Sequence, residues 1–429
     1  MLRTLSWERQ HPAGLPPEMA ALPVRNIRYS LGMIPHMIFD LQQPLLSAWP
    51  GYMLRTIVDG PENRPAAGQL PHPTHWETLF DIAQKQQLAP LLYWVLQKSP
   101  PAWQPPMSIR QQLRHQYVSA TFQAMQQEHA LRAILTALND SGIRPTLYKG
   151  AALAHTLYPT PACRPMGDMD LWVAAEEMAV AQTRLEALGY YPNTRDERPL
   201  RLQQQQEGEI KLVNQERSKG TVELHWGVFP GQWLQRVAMV DRNGVSQRRV
   251  ATELLGNAVY LLENEDAFIQ LAIHFGISHQ LSRFPLRSLF DMALLDQQQI
   301  DWNVIVERTT AWRLTTVMSV VLDLFVSVFG EATLTPAAVN AAAKLRRATA
   351  ARPFIQRWRD PAILFSQTKL STSRSRLFYL LSMIDRPQDV VYLLMRTFWP
   401  ENQWLAARYG AVNNRVRWQH IQSALQGGL

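Results

Sequence analysis

Between Arg144 and Val228 the spacing of apolar residues changes character. On either side, apolar positions recur at three- and four-residue intervals, as on helices with one buried face. Inside, Arg144–Tyr148, Glu209–Asn214 and Thr221–Val228 are short and extended, and Asp168–Val173 (DMDLWV) alternates charged with apolar residues, as a half-buried strand does. The pattern predicts an α+β protein in which a small mixed sheet with helices, about residues 144–230, is embedded in a mainly helical chain.

The flanks divide by composition. Residues 1–74 hold 11 of the 29 prolines, too many for one long helix or sheet, and predict an irregular, partly ordered arm. Helical spacing begins at Trp76–Leu96, breaks at Ser99–Met107, and resumes as a long polar-faced helix over Ser108–Ser141 that Gly142 can stop. Within the mixed unit, Ala151–Tyr158 and Ala174–Leu188 read as helices. Residues 264–330, Thr335–Arg359 with a break near Pro353, and Leu370–Met395 read as helices beyond it. The organisation expected is an arm over 1–74, a helical region over 75–143, an α/β core over 144–262 and a helical region over 263–429. The most apolar run, Leu314–Gly330, falls short of the roughly 20 residues a membrane span needs and contains Asp323, so it reads as a buried helix.

Composition excludes some chemistries. Cys163 is the one cysteine, which rules out an internal disulfide and every multi-cysteine zinc or iron–sulfur site and favours a reducing compartment. The first residues, MLRTLSWERQHPAG, contain no apolar stretch of the signal-peptide kind, so a cytoplasmic location is expected. There is no G-x-S-x-G, P-loop or H-E-x-x-H. The net charge of +8 is mostly arginine. Part of it clusters at Lys344, Arg346, Arg347, Arg352, Arg357 and Arg359, with Arg374 and Arg376 beyond. With few interleaved aromatics this run reads as a solvated helix face before it reads as a nucleic-acid surface.

The chemistry concentrates in 147–173, LYKGAALAHTLYPTPACRPMGDMDLWV. Asp168 and Asp170, two apart on a strand, leave the same face, and two carboxylates there repel unless a cation lies between them. Hard divalent cations such as Mg²⁺ take oxygen ligands of this kind. In Thr221–Val228, Thr221, Glu223 and His225 share one face, so a sheet could set Glu223 beside the aspartates as a third metal ligand. Lys149-Gly150 follows a strand and opens a helix. Gly150 allows close approach to a phosphate, Lys149 supplies a point charge, and Arg164 could stabilise phosphate oxygens.

Taken together, these residues resemble the DNA polymerase β-like nucleotidyltransferase superfamily, in which a Gly-containing turn leads into a helix, the next strand carries D-x-D and a later strand gives a third acid. More narrowly, Lys149, Gly150, Ala151, Tyr158, Pro159, Arg164, Pro165, Met166, Gly167, Asp168, Asp170, Leu171, Glu223, His225 and Trp226 match the pattern of the bacterial uncharacterised nucleotidyltransferase family. The resemblance implies a polymerase β-like core and a Mg²⁺-dependent (or Mn²⁺-dependent) transfer of a nucleoside monophosphate from NTP to an acceptor, which could be a protein, a peptide, a small molecule or an RNA end. It implies that Asp168, Asp170 and Glu223 are the catalytic, metal-holding acids and that Glu223 helps to deprotonate the acceptor. Lys149, Gly150 and Arg164 would bind nucleotide, and His225 would orient Glu223 or touch substrate. Ala151 stands where the wider superfamily usually has Ser or Gly. That motivates the alternative of a catalytically degenerate nucleotide-binding or partner-docking protein on the same fold. His155, Cys163, and the five-apart pair His274 and His279 read as structural.

Overall fold

The computed structural model of the chain describes residues 49–59, 75–193, 199, 202, 208–216, 219–229, 231–365 and 373–426. Most of the arm 1–74, most of the Gln-rich segment 200–208 and the start of the helix expected from Leu370 lie outside the described residues. Where the arm is described it differs from an irregular segment: residues 49–58 form a helix, α1, whose Trp49, Tyr52 and Met53 recur at helical spacing and are buried in the larger hydrophobic core.

Helices α2 (Trp76–Lys85) and α3 (Ala89–Gln97) pack against α4 (Met107–Asn139), a helix of 33 residues. Gly142, at φ +77°, follows its end. The C-terminal half of α4 buries Leu131, Ile134, Leu135 and Leu138 on a sheet that is, among the described residues, seven-stranded. The strands are β1 (Thr146–Tyr148), β2 (Asp168–Trp172), β3 (Tyr190–Pro192), β4 (Glu209–Asn214), β5 (Thr221–His225), β6 (Val250–Leu254) and β7 (Asn257–Leu261), in the order β3-β4-β5-β2-β1-β7-β6. The sheet is mixed: β2–β5 and β1–β7 are parallel, the other pairs antiparallel. Leu147, Met169, Leu171, Ile210, Leu212, Val222 and Leu224 point to one face, where α4 and α6 (Met178–Ala187) cover them. The alternate residues of the same strands leave the opposite face. α5 (Lys149–Thr156) runs directly from β1.

The hairpin β6–β7 and strand β3 escape the sequence reading. The hairpin turn is Leu255-Gly256, both at positive φ, and a leucine in that conformation carries no turn signature. Beyond the sheet the chain is helical. The apolar run becomes the helix Thr315–Phe329, with Val320, Val321, Leu322 and Leu324 sealed in the larger core. Its Asp323 is met at 2.8 Å by Arg346 and at 2.8 Å by Arg359. Arg352 donates to the carbonyl of Ile384 at 2.6 Å. The basic run is therefore partly an internal brace rather than a wholly solvated face. Among the described residues, no helix is long and apolar enough to cross a membrane.

Candidate active site

Strand register assembles the site in rows on the face not covered by α4. Tyr148 pairs with Asp170, Asp170 with Glu223, and Glu223 with Lys211, one row across β1, β2, β5 and β4. The next row is Thr146, Trp172, His225 and Glu209, joined by Tyr260 of β7. Asp168 begins β2 opposite Thr221, half-buried. Directly opposed side chains in adjacent strands stand about 5 Å apart, so register alone forces Asp170 and Glu223 together.

Asp170 is the hub. It is 2% exposed, and its Oδ1 accepts from Lys149 Nζ at 2.7 Å and from His225 Nε2 at 3.1 Å. His225 Nδ1 lies 3.5 Å from a Glu209 carboxylate oxygen, and Lys211 Nζ donates to Glu223 Oε1 at 3.1 Å. Ligand atoms of Asp170, Glu223 and His225 come within 4.8 Å of one another, and Asp168 is not part of that trio. Burial alone would push the Asp170 carboxyl up. The Lys149 ammonium and the His225 ring outweigh it and hold Asp170 well below the usual carboxylate range. Glu223 goes the other way: burial, then the Asp170 charge, raise it. Burial also raises Tyr148, whose hydroxyl is buried with no hydrogen-bond partner among the described residues.

The strand-to-helix turn differs in detail from the sequence expectation. Its left-handed residue is Lys149, at φ +50°, and the helix begins there. A non-glycine residue holds that conformation only when its surroundings over-determine it, and the buried contact with Asp170 does so. Gly150 is needed for a close approach, but the group that approaches is Arg164. A Cβ on Gly150 would lie 2.7 Å from Arg164 Nη1 and 3.3 Å from Met166 Cβ. Arg164, 6% exposed, donates from Nε and Nη2 to the two carboxylate oxygens of Asp291 at 2.9 and 2.7 Å. Tyr158 donates to the same carboxylate at 2.7 Å. The guanidinium is thus committed behind the turn and shapes it from the rear. Because Arg164 cannot swing away, Gly150→Ala should destabilise the fold by about 1–3 kcal/mol, read as a lower denaturant midpoint with an unchanged slope. An unchanged midpoint would mean that the guanidinium is free to yield.

Lys211 and Glu209 were not singled out from the sequence, and His274 and His279 were read there as structural. Lys211 and Glu209 follow from the alternation of β4 once its neighbour is known. His274 and His279 are less accessible to pattern reasoning. They bracket a π-helical turn, His274–Ser278, in which His279 N–H donates to the His274 carbonyl at 2.9 Å. Five-residue spacing therefore stacks the rings edge to face, with centroids 4.2 Å apart. Burial, then Lys149, lowers His274 well below its ordinary value. Burial, Arg283 and Lys149 push His279 down to about 3. Both rings are thus held toward the neutral form.

No curated protein and no solved structure matches the chain. The family described as uncharacterised nucleotidyltransferase matches over residues 72–330, which takes in α2 to α6, the sheet, the π-turn and the helix carrying Asp323. The matched region holds Lys149, Asp168, Asp170, Glu223 and His225, and the chain belongs to the uncharacterised nucleotidyltransferase family.

Proposed function

We propose that the protein is a Mg²⁺-dependent nucleotidyltransferase with a polymerase β-like core, moving a nucleoside monophosphate from NTP to an acceptor hydroxyl in the reducing cytoplasm. The observation that carries this is the register of β1, β2 and β5, which sets Asp170 against Glu223 with Asp168 on the same face and a cationic strand-to-helix turn alongside.

The donor set fits a hard divalent cation. Two buried or half-buried carboxylates face each other, and burial, then the Asp170 charge, hold Glu223 above its ordinary value. Asp168, Asp170 and Glu223 would hold Mg²⁺ or Mn²⁺, which when bound neutralises charge on the phosphoryl oxygens. His225 orients Asp170 through its Nε2 contact. Lys149, released from Asp170, meets the phosphates as a point charge. Glu223 accepts the acceptor's proton. The acceptor oxygen bonds to the α-phosphorus, the bond to the bridging oxygen breaks, and pyrophosphate leaves.

The test is a screen of the four NTPs, labelled on the α-phosphate, with Mg²⁺ or Mn²⁺ and a cell extract as acceptor source. Labelled product from the wild type and none from the Asp168→Ala/Asp170→Ala variant is expected; equal labelling sinks the proposal. One observation favours a second reading. Lys149 Nζ already sits on Asp170 Oδ1, where a metal ligand should be open, as in a degenerate site that binds nucleotide without turnover. Calorimetry showing NTP binding without Mg²⁺ dependence, and no transfer, would select it.

A further inference from the structure

With Arg164 committed to Asp291, the cations that could meet a polyphosphate must come from elsewhere. Arg164, Arg248, Arg308 and Arg359 each reach a carboxylate at 2.7 to 3.0 Å. Arg287 reaches none within ion-pair distance among the described residues. Its Nη1 donates to the carbonyl of Pro165, three residues before Asp168, at 2.9 Å, and to Gln87. Its Nε is sealed from solvent with no hydrogen-bond partner among the described residues. A guanidinium that is partly withdrawn from water and has no carboxylate beside it favours the approach of an anion. Burial, followed by the Arg164 charge, lowers Arg287 to about 10. Arg283, exposed, flanks the same Phe284 ring as Arg287, with guanidinium carbons 5.8 and 4.6 Å from the ring centroid, and has no carboxylate partner among the described residues.

His279 lies four residues before Arg283, its ring edge to face on His274 with centroids 4.2 Å apart, and its Nδ1 is buried with no hydrogen-bond partner among the described residues. The π-turn that leads into His279 is tightly packed. Tyr379 donates to the Gly276 carbonyl at 2.5 Å, and a Cβ on Gly276 would lie 2.5 Å from Val317.

We infer that Arg283, Arg287 and His279 form with Lys149 a wall that binds the polyphosphate of the co-substrate, opposite Asp168, Asp170 and Glu223. This inference rests on the nucleotidyl-transfer reading above. Guanidinium forks suit phosphate oxygens, and a neutral imidazole can donate one hydrogen bond without adding repulsion between cations.

The probe is inorganic tripolyphosphate, titrated by calorimetry into the full chain at low salt. Wild type should bind it, and Arg283→Gln should weaken binding by roughly tenfold, the equivalent of one charge-assisted hydrogen bond. Arg283→Lys should recover part of the loss. Arg283 is exposed, so its variants should fold normally. Arg287→Met is the stronger lesion and is read beside its thermal unfolding curve. A wild type that ignores tripolyphosphate, or a folded Arg283→Gln that binds it equally well, overturns the wall. Transfer by Arg283→Gln at an unchanged KM for NTP also overturns it while sparing the function. Tripolyphosphate binding as expected, with no transfer of any NTP, overturns the function while sparing the wall.

Discussion

Asp170→Asn should lower nucleotidyl transfer by on the order of 10³-fold, in the range seen when a group that stabilises transition-state charge is removed. The substitution keeps the volume and one carbonyl acceptor and deletes the charge. Three groups are built around that charge: Lys149 at 2.7 Å, His225 at 3.1 Å, and Glu223 directly across the β2–β5 ladder. In the proposed role, removing it takes away a metal-holding oxygen; it also leaves Lys149, 9% exposed, without its carboxylate partner. It also relieves Glu223 of the neighbouring charge that helps to raise it, so Glu223 should ionise at lower pH in the variant. Asp168→Asn should impair transfer as well. It should disturb the apo protein less, because Asp168 is half-buried and stands outside the compact trio. The measurement is single-turnover transfer with Mg²⁺ titrated in. Loss of rate that saturating Mg²⁺ fails to restore fits the proposed role. Transfer within about threefold of wild type in Asp170→Asn would show that Asp170 is only a counter-ion to Lys149.

How much of this was legible in the sequence depends on the range of the interaction. The period-two alternation at Asp168–Val173 and the E-x-H of β5 are local, and both place their acids on the face the structure uses. The helical flanks follow from local spacing too. The adjacency of β2 and β5 does not. A parallel pair is set by the tertiary path of the chain, and the register that opposes Asp170 and Glu223 leaves no local mark. Arg164 shows the cost of reading a charge without its partner. Near the D-x-D it looks like a phosphate ligand, but Asp291 lies 127 residues later and has no motif of its own. Helical-spacing rules set aside His274 and His279 because a π-turn has a different period. Leu255 hid the β6–β7 hairpin by occupying a left-handed position normally given to glycine or asparagine.

Asp291→Ala should be the most destabilising single change near the site, costing about 3–5 kcal/mol, the usual penalty for orphaning one partner of a buried ion pair. Asp291 is 2% exposed and accepts three hydrogen bonds, two from Arg164 and one from Tyr158. Its loss leaves a guanidinium and a hydroxyl in the core with nothing to meet them. The midpoint of thermal unfolding should fall by roughly 5–10 °C. Arg164→Met/Asp291→Leu should recover much of the loss, because removing both charges deletes the desolvation penalty with the attraction. Function separates the two roles open to Arg164. As the post behind Gly150, its release in Asp291→Ala loosens the turn that carries Lys149, so NTP binding weakens. As a phosphate ligand held in check by Asp291, its release strengthens NTP binding instead. The two roles therefore predict opposite signs for one measured affinity, taken below the unfolding transition of the variant. Tighter binding would return Arg164 to the nucleotide site, and weaker binding together with the stability loss fixes it as the support on which the turn is built.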